Sequence, residues 1–153
     1  ARAAMDDLRG ALANIDGDPL PLLDATADWR DEANQRCDVA NIHLHWTDEL
    51  GDSSRMLAPR LKTLLQRVLR ESITNAIKHG QPATISVHIA LSNNNLVMTV
   101  EHDGQASDPT QWVPGIGMQS LKERLSSCDG ALNIETTETG LTKVTIVAPL
   151  GDE

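Results

Sequence analysis

The sequence predicts an α/β fold, a two-layer sandwich in which a mixed, mainly antiparallel sheet is covered by about three helices. Three observations carry that expectation. Helical and strand periodicities follow one another in the order helix, helix, strand, helix, strand, strand, loop, helix, strand, strand. Short polar breaks join two pairs of alternating segments, so hairpins dominate the sheet. A chain of 153 residues is long enough for one domain with a sizeable core.

The elements read as follows. Residues 1–13 carry Met5, Leu8 and Leu12 at helical spacing, and the break 14–19, with Gly17 and Pro19, is a linker. The expected division is therefore 1–16, the end of a helix and its linker, and 17–153, the domain proper. A second helix begins near Pro21, since proline suits a first turn, and carries Leu22, Leu23, Ala25, Ala27 and Trp29 before fading by Cys37. Val39, Ile42, Leu44 and Trp46 then predict a strand, ended by residues 51–54. The longest periodic segment, 57–79, puts Leu61, Leu64, Leu65, Val68, Leu69, Ile73, Ala76 and Ile77 on one broad face, and Gly80 stops it. Ile85, Val87, Ile89 and Leu91 alternate into Asn93-Asn94-Asn95, from which Leu96, Met98 and Val100 return. A loop over 104–117 precedes a short helix to about Cys128, and strands over 131–136 and 142–148 close the chain.

Composition excludes whole classes of function. Thirteen Lys and Arg against 22 Asp and Glu give a net charge of -9, which repels nucleic acid and anionic membranes. Aromatics are 2% of the chain, with no Phe or Tyr, so platforms for stacking bases are missing. Cys37 and Cys128 are too few for a disulfide framework or a zinc cluster and suit a reducing compartment. No stretch is apolar enough for a membrane span, and the first ten residues lack the apolar core of a signal peptide. A cytoplasmic location is expected. Opening without Met inside a helix, the chain reads as a piece of something longer.

Three features carry chemistry. Glu71, Asn75 and Lys78 share one stripe of the long helix, with His79 beside them. An acid can orient or deprotonate a reacting group, an amide oxygen can hold Mg²⁺, and cations can reach phosphate; a solvated helix face is the plain alternative. Gly115-Ile116-Gly117 stands where a loop becomes a helix, so backbone N–H groups can meet an anion there, or the glycines simply form a hinge. His102-Asp103-Gly104 ends a strand and by itself is an ordinary turn.

Together they resemble the motifs of sensor histidine kinases. Residues 70–79, Arg-Glu-Ser-Ile-Thr-Asn-Ala-Ile-Lys-His, resemble the N box; residues 100–104, Val-Glu-His-Asp-Gly, resemble the G1 box; residues 115–124, from Gly115-Ile116-Gly117-Met118, look like the G2 box. The closing Gly140-Leu141-Thr142-Lys143-Val144 looks like the last strand of that domain, and Asp6-Asp7-Leu8-Arg9 is similar to the end of the upstream dimerisation helix. The match is nearest to the nitrate-sensor and desaturase-regulator subfamily. It implies the Bergerat ATP-binding fold shared with gyrase and Hsp90, with ATP and Mg²⁺ as cofactors. By resemblance Asn75 would hold Mg²⁺ with Glu71 beside it as the catalytic pair. Lys78, His79 and the backbone of Gly115 and Gly117 would face the phosphates, with Ile116 and Met118 in the same box. His102, Asp103, Gly104 and Thr142 would line the base pocket. Phosphoryl transfer needs little more than such positioning and charge neutralisation.

Two positions depart from the family pattern. The acid that accepts the adenine amino proton is here His102, and the second glycine of the G1 box is Ala106. Strand alternation from Met98 and Val100 aims His102 toward the pocket and Asp103 away from it. Of five histidines, none lies on a helix and is followed by an acid, so the phosphoacceptor is expected on a separate dimerisation domain of the same protein. Three readings follow: the catalytic domain of a sensor histidine kinase, relaying phosphate through that domain to a response regulator; a pseudokinase acting as a binding module, which His102 favours; and an anti-sigma-type serine kinase. The fragment is expected to be monomeric.

Overall fold

The computed structural model describes residues 18–80, 82–103 and 116–150, with Ile116 described by its backbone alone. Within them β1 (Leu20–Pro21) leads to α1 (Leu22–Val39), β2 (His43–Glu49), β3 (Met56–Leu57) and α2 (Pro59–Asn75). Then come β4 (Thr84–Ser92), β5 (Asn95–His102), α3 (Ile116–Ser127), β6 (Ala131–Thr136) and β7 (Thr142–Pro149). The predicted helix over 1–13 and the boundary near residue 16 lie outside the described residues.

The main sheet has the order β2-β4-β5-β7-β6, and β1 pairs only with β3. β2 and β4 are parallel and the other pairs antiparallel. The parallel pair needs a long crossover, which contains α2. This is the two-layer, mixed and mainly antiparallel α/β architecture expected from the sequence. Period-two alternation builds its inner face: Ile85, Val87 and Ile89 of β4, Leu96, Met98 and Val100 of β5, and Val144, Ile146 and Ala148 of β7 are all buried. Against them pack Leu22, Ala25, Trp29, Ala33 and Cys37 of α1, Leu65, Val68, Leu69 and Ile73 of α2, and Met118, Leu121 and Leu125 of α3. No helix among the described residues is long and apolar enough to cross a membrane.

Two boundaries differ from the sequence reading. The predicted strand from Val39 does not start there, because α1 runs on through Val39, whose side chain is 90% exposed. Asn41 then takes the left-handed conformation (φ 58°), and the Ile42 amide donates to the Cys37 carbonyl at 2.8 Å, a helix-ending pattern that Asn tolerates. The long helix does not stay α-helical to His79: Ala76–Gly80 winds as a π-helical turn.

A polar clamp fixes α1 against α2. The Trp29 indole donates to the Lys62 carbonyl at 3.1 Å. Glu32 accepts both Arg70 Nε at 2.8 Å and Nη2 at 2.7 Å, a two-pronged charged pair, with Gln66 and Arg36 as further donors. The Arg70 hydrogen bonds, ahead of the other donors, hold the Glu32 carboxyl at about 2, down from 4.5. A depressed carboxyl stabilises the fold above its unfolded value and loses that contribution as pH falls through its folded one. Glu32→Ala should therefore cost about 1–2 kcal/mol at neutral pH, discounted because Arg70 is partly exposed. The difference from the parent should shrink between pH 4.5 and 2. Urea melts across that range check it; a gap that stays constant down to the acid end would remove Glu32 from the clamp.

Candidate functional site

The site is built along one line of α2, from the start of α3 to the end of β5. Glu71 comes first. Its carboxylate lies against the opening turn of α3, where a Cβ at Gly117 would come within 3.2 Å of Glu71 Oε1. Glycine at 117 therefore lets the two helices approach, and the amino end of a helix favours negative charge. Residues of the predicted N and G2 boxes, 46 positions apart, are in contact.

One turn on, Asn75 ends the α-helical part of α2. Its Nδ2 is buried and has no hydrogen-bond partner among the described residues. Leaving a buried donor unpaired costs about 1–3 kcal/mol, so the amide is where a ligand's acceptor would be welcome. Thr142, at the start of β7, is the second such group: the residue is 6% exposed and its Oγ1 is likewise unpartnered. Buried polar atoms without partners are rare; of the three among the described residues, two lie at residues that the sequence singled out and the third, Trp46 Nε1, lies on β2.

The π turn follows. Such turns widen the helix and cluster at functional sites; here it ends at Gly80, against the ring of His102. A Cβ at position 80 would meet His102 Cε1 at 2.8 Å and Nδ1 at 3.0 Å. In the sheet His102 lies between Ile85 of β4 and Thr142 of β7. Its Nδ1 is 2.9 Å from the Asp103 carbonyl oxygen. A carbonyl only accepts, so Nδ1 is the donor in this contact. Nε2 is the ring nitrogen left for a ligand, next in the sheet to Thr142, whose hydroxyl is unpartnered among the described residues.

Gly80 was legible in the sequence only as a helix stop; its packing role has no local signal. Gly80→Ala should displace the ring and break the bond to Asp103, at a cost of about 1–3 kcal/mol. Thermal denaturation and the His102 imidazole resonances report the two effects. Ring resonances identical to the parent's would show that the ring does not rest on Gly80.

The remaining predicted residues fall in different places. Asp103 Oδ1 accepts the amides of Ala83 and Thr84 at 2.9 and 3.1 Å, so its carboxylate anchors the start of β4 rather than facing His102's side. Met118 is a core residue, 2% exposed, and offers a ligand only its backbone. Lys78 and His79 are exposed on the π turn, and Lys78 lines a groove of about 730 Å³ shared with Glu32, Val39 and Ile77. The π winding carries Lys78 off the simple α-helical stripe. Gly104 and Gly115 lie outside the described residues.

Known proteins place this arrangement. The sequence profile of the "Histidine kinase-, DNA gyrase B-, and HSP90-like ATPase" family matches residues 61–152. The oxygen sensor histidine kinase NreB of Staphylococcus carnosus is 26% identical over 152 residues, 97% of this chain and 43% of that protein. Sensor histidine kinase DesK of Bacillus subtilis is 35% identical over 89 residues, 58% of this chain and 24% of that protein. The chain thus spans less than half the length of these relatives. Among solved structures, the Erythrobacter litoralis EL346 blue-light activated histidine kinase superposes with a TM-score of 0.69 at 20% identity, covering 89% of this chain and 48% of that one. Acinetobacter baumannii histidine kinase AdeS does so with a TM-score of 0.68 at 13% identity, covering 97% and 77%.

Proposed function

The chain belongs to the histidine kinase-, DNA gyrase B- and HSP90-like ATPase family, and on that premise we propose that it is the ATP-binding catalytic module of a two-component sensor histidine kinase. Residues 17–153 form the module, and 1–16 are the end of a dimerisation helix and its linker. The module transfers the γ-phosphoryl group of ATP to a histidine on the dimerisation domain of the same protein, for relay to a response regulator in the cytoplasm. By itself it is monomeric.

The observation that carries this reading is that two of the three buried side-chain polar atoms without a partner among the described residues, Asn75 Nδ2 and Thr142 Oγ1, fall in the N box and in the last strand of the resemblance. A neutral amide beside a carboxylate is a donor set of hard oxygens that fits Mg²⁺. Asn75 would hold the ion through its amide oxygen, with Glu71 beside it, and the ion would supply charge neutralisation of the phosphates during transfer. Glu71 would also orient the incoming imidazole and accept its proton. Lys78 and His79 would meet phosphate oxygens from the π turn, and the backbone of the Gly115–Gly117 segment from the start of α3. His102 and Thr142 would take the adenine, with Gly104 passing close to it. The sheet floor beneath them excludes water from that end.

Calorimetric titration with ATP, with and without Mg²⁺, tests the reading. Saturable, metal-dependent binding at one site is expected. A folded chain that binds no ATP would make this a regulatory binding module.

A further inference from the structure

α2 and α3 run antiparallel: Glu71, late in α2, meets Gly117, early in α3, while the first half of α2 faces the end of α3. Toward that end the two helices wall a groove of about 370 Å³, which reaches to Arg67, one turn short of Glu71. Arg60 and Arg67 of α2 and Arg124 of α3 line it, with Leu64 at its floor and Ser127 at its rim. Acids outnumber cations 22 to 13 in this chain, yet none lines this groove.

Two of these arginines have no ion pair in the fold. Arg67 and Arg124 are exposed and have no acid within ion-pair distance among the described residues. The Ser127 hydroxyl already donates to the Arg124 carbonyl, so it places no demand on the guanidinium. Arg124 also stands in the last turn of α3, where a cation suits the helix dipole.

We propose that this groove docks a short acidic segment of a partner protein, its carboxylates gripped by Arg67 and Arg124 from opposite walls and an apolar side chain seated on Leu64. Guanidinium pairs carboxylate in two-pronged fashion, and arginines on two walls fix both register and direction. The occupant is short because the rest of the surface is acidic. An extended polyanion, a nucleic acid or an anionic membrane, would meet that repulsion beyond the groove, whereas a few carboxylates would not.

The probe is a fluorescein-labelled peptide, Glu-Glu-Leu-Glu-Glu-Leu-Glu-Glu, followed by anisotropy at low ionic strength, with a Gln-for-Glu peptide as control. Binding of the acidic peptide alone is expected, with amide shifts confined to the first half of α2 and the last turn of α3. Arg67→Gln with Arg124→Gln, which adds no carboxylate beside Glu71, should weaken it by about tenfold or more, with Mg-ATP binding unchanged. If that double variant melts early, Arg124→Gln alone carries the same test. Equal binding of both peptides, or binding indifferent to the arginines, overturns the proposal. So does a preference, through the same arginines, for single-stranded DNA or phosphatidylglycerol vesicles. Because ATP binding is followed in parallel, a failure here leaves the nucleotide reading standing, and the reverse holds too.

Discussion

Asn75→Ala should abolish the Mg²⁺-dependent part of ATP binding while leaving the nucleotide-free protein at least as stable as its parent. The two halves of that result come from one observation. The Asn75 Nδ2 is buried and has no partner among the described residues, and an unpaired buried donor costs about 1–3 kcal/mol. Removing it relieves that cost, and the alanine is a better helix former at the end of α2. Asn75 is thus retained against stability, as expected where function demands a strained or unsatisfied group. On the proposed reading its amide oxygen is a metal ligand, so affinity for Mg-ATP should fall about a hundredfold, ~2.7 kcal/mol. Asn75→Asp keeps the shape but places a second carboxylate one turn from Glu71, and the like charges should lower affinity too. Calorimetry with Mg²⁺ and with EDTA, together with thermal shift, reads both halves. A variant whose melting temperature still rises with Mg-ATP as the parent's does would take Asn75 out of the site.

What could be read from the sequence was what local periodicity encodes. Ile85, Val87 and Ile89 alternate with polar neighbours, so their strand and its buried face were legible. The same holds for the 3.6-residue pattern from Leu64 to Ile73 and for the two-residue turn at Asn93, which sits at φ 57°. Glu71 and Asn75 were visible because they interrupt that pattern at helical spacing. What was not legible depends on distant partners. Glu32 and Arg70 are 38 residues apart, and neither shows in its own neighbourhood that the other is there. The π turn ends against His102, 22 residues further on, and the composition of Ala76–Gly80 does not announce that partner. Asn41 extended α1 past the predicted start of the next strand by stabilising a left-handed end that an apolar pattern does not report. Asp103 reads as a site acid and in the fold anchors a strand.

His102→Asp should tighten ATP binding about tenfold, the roughly 1–1.5 kcal/mol by which a hydrogen bond to a charged acceptor outweighs the neutral one it replaces. His102 shares the inner face with Met98 and Val100, and its register partner Thr142 presents an unpartnered hydroxyl. With Nδ1–H given to the Asp103 carbonyl, Nε2 is the acceptor left for the exocyclic amine of adenine. That bond is neutral, whereas a carboxylate at 102 makes a charge-assisted one. The smaller side chain gives up the contact with Gly80, so the variant should melt slightly lower without nucleotide while binding it better. The plain alternative is that the ring only packs against Gly80 and never meets a ligand. Calorimetry on both proteins separates the cases: equal affinities would mean that His102 is a packing residue and that the base is held elsewhere.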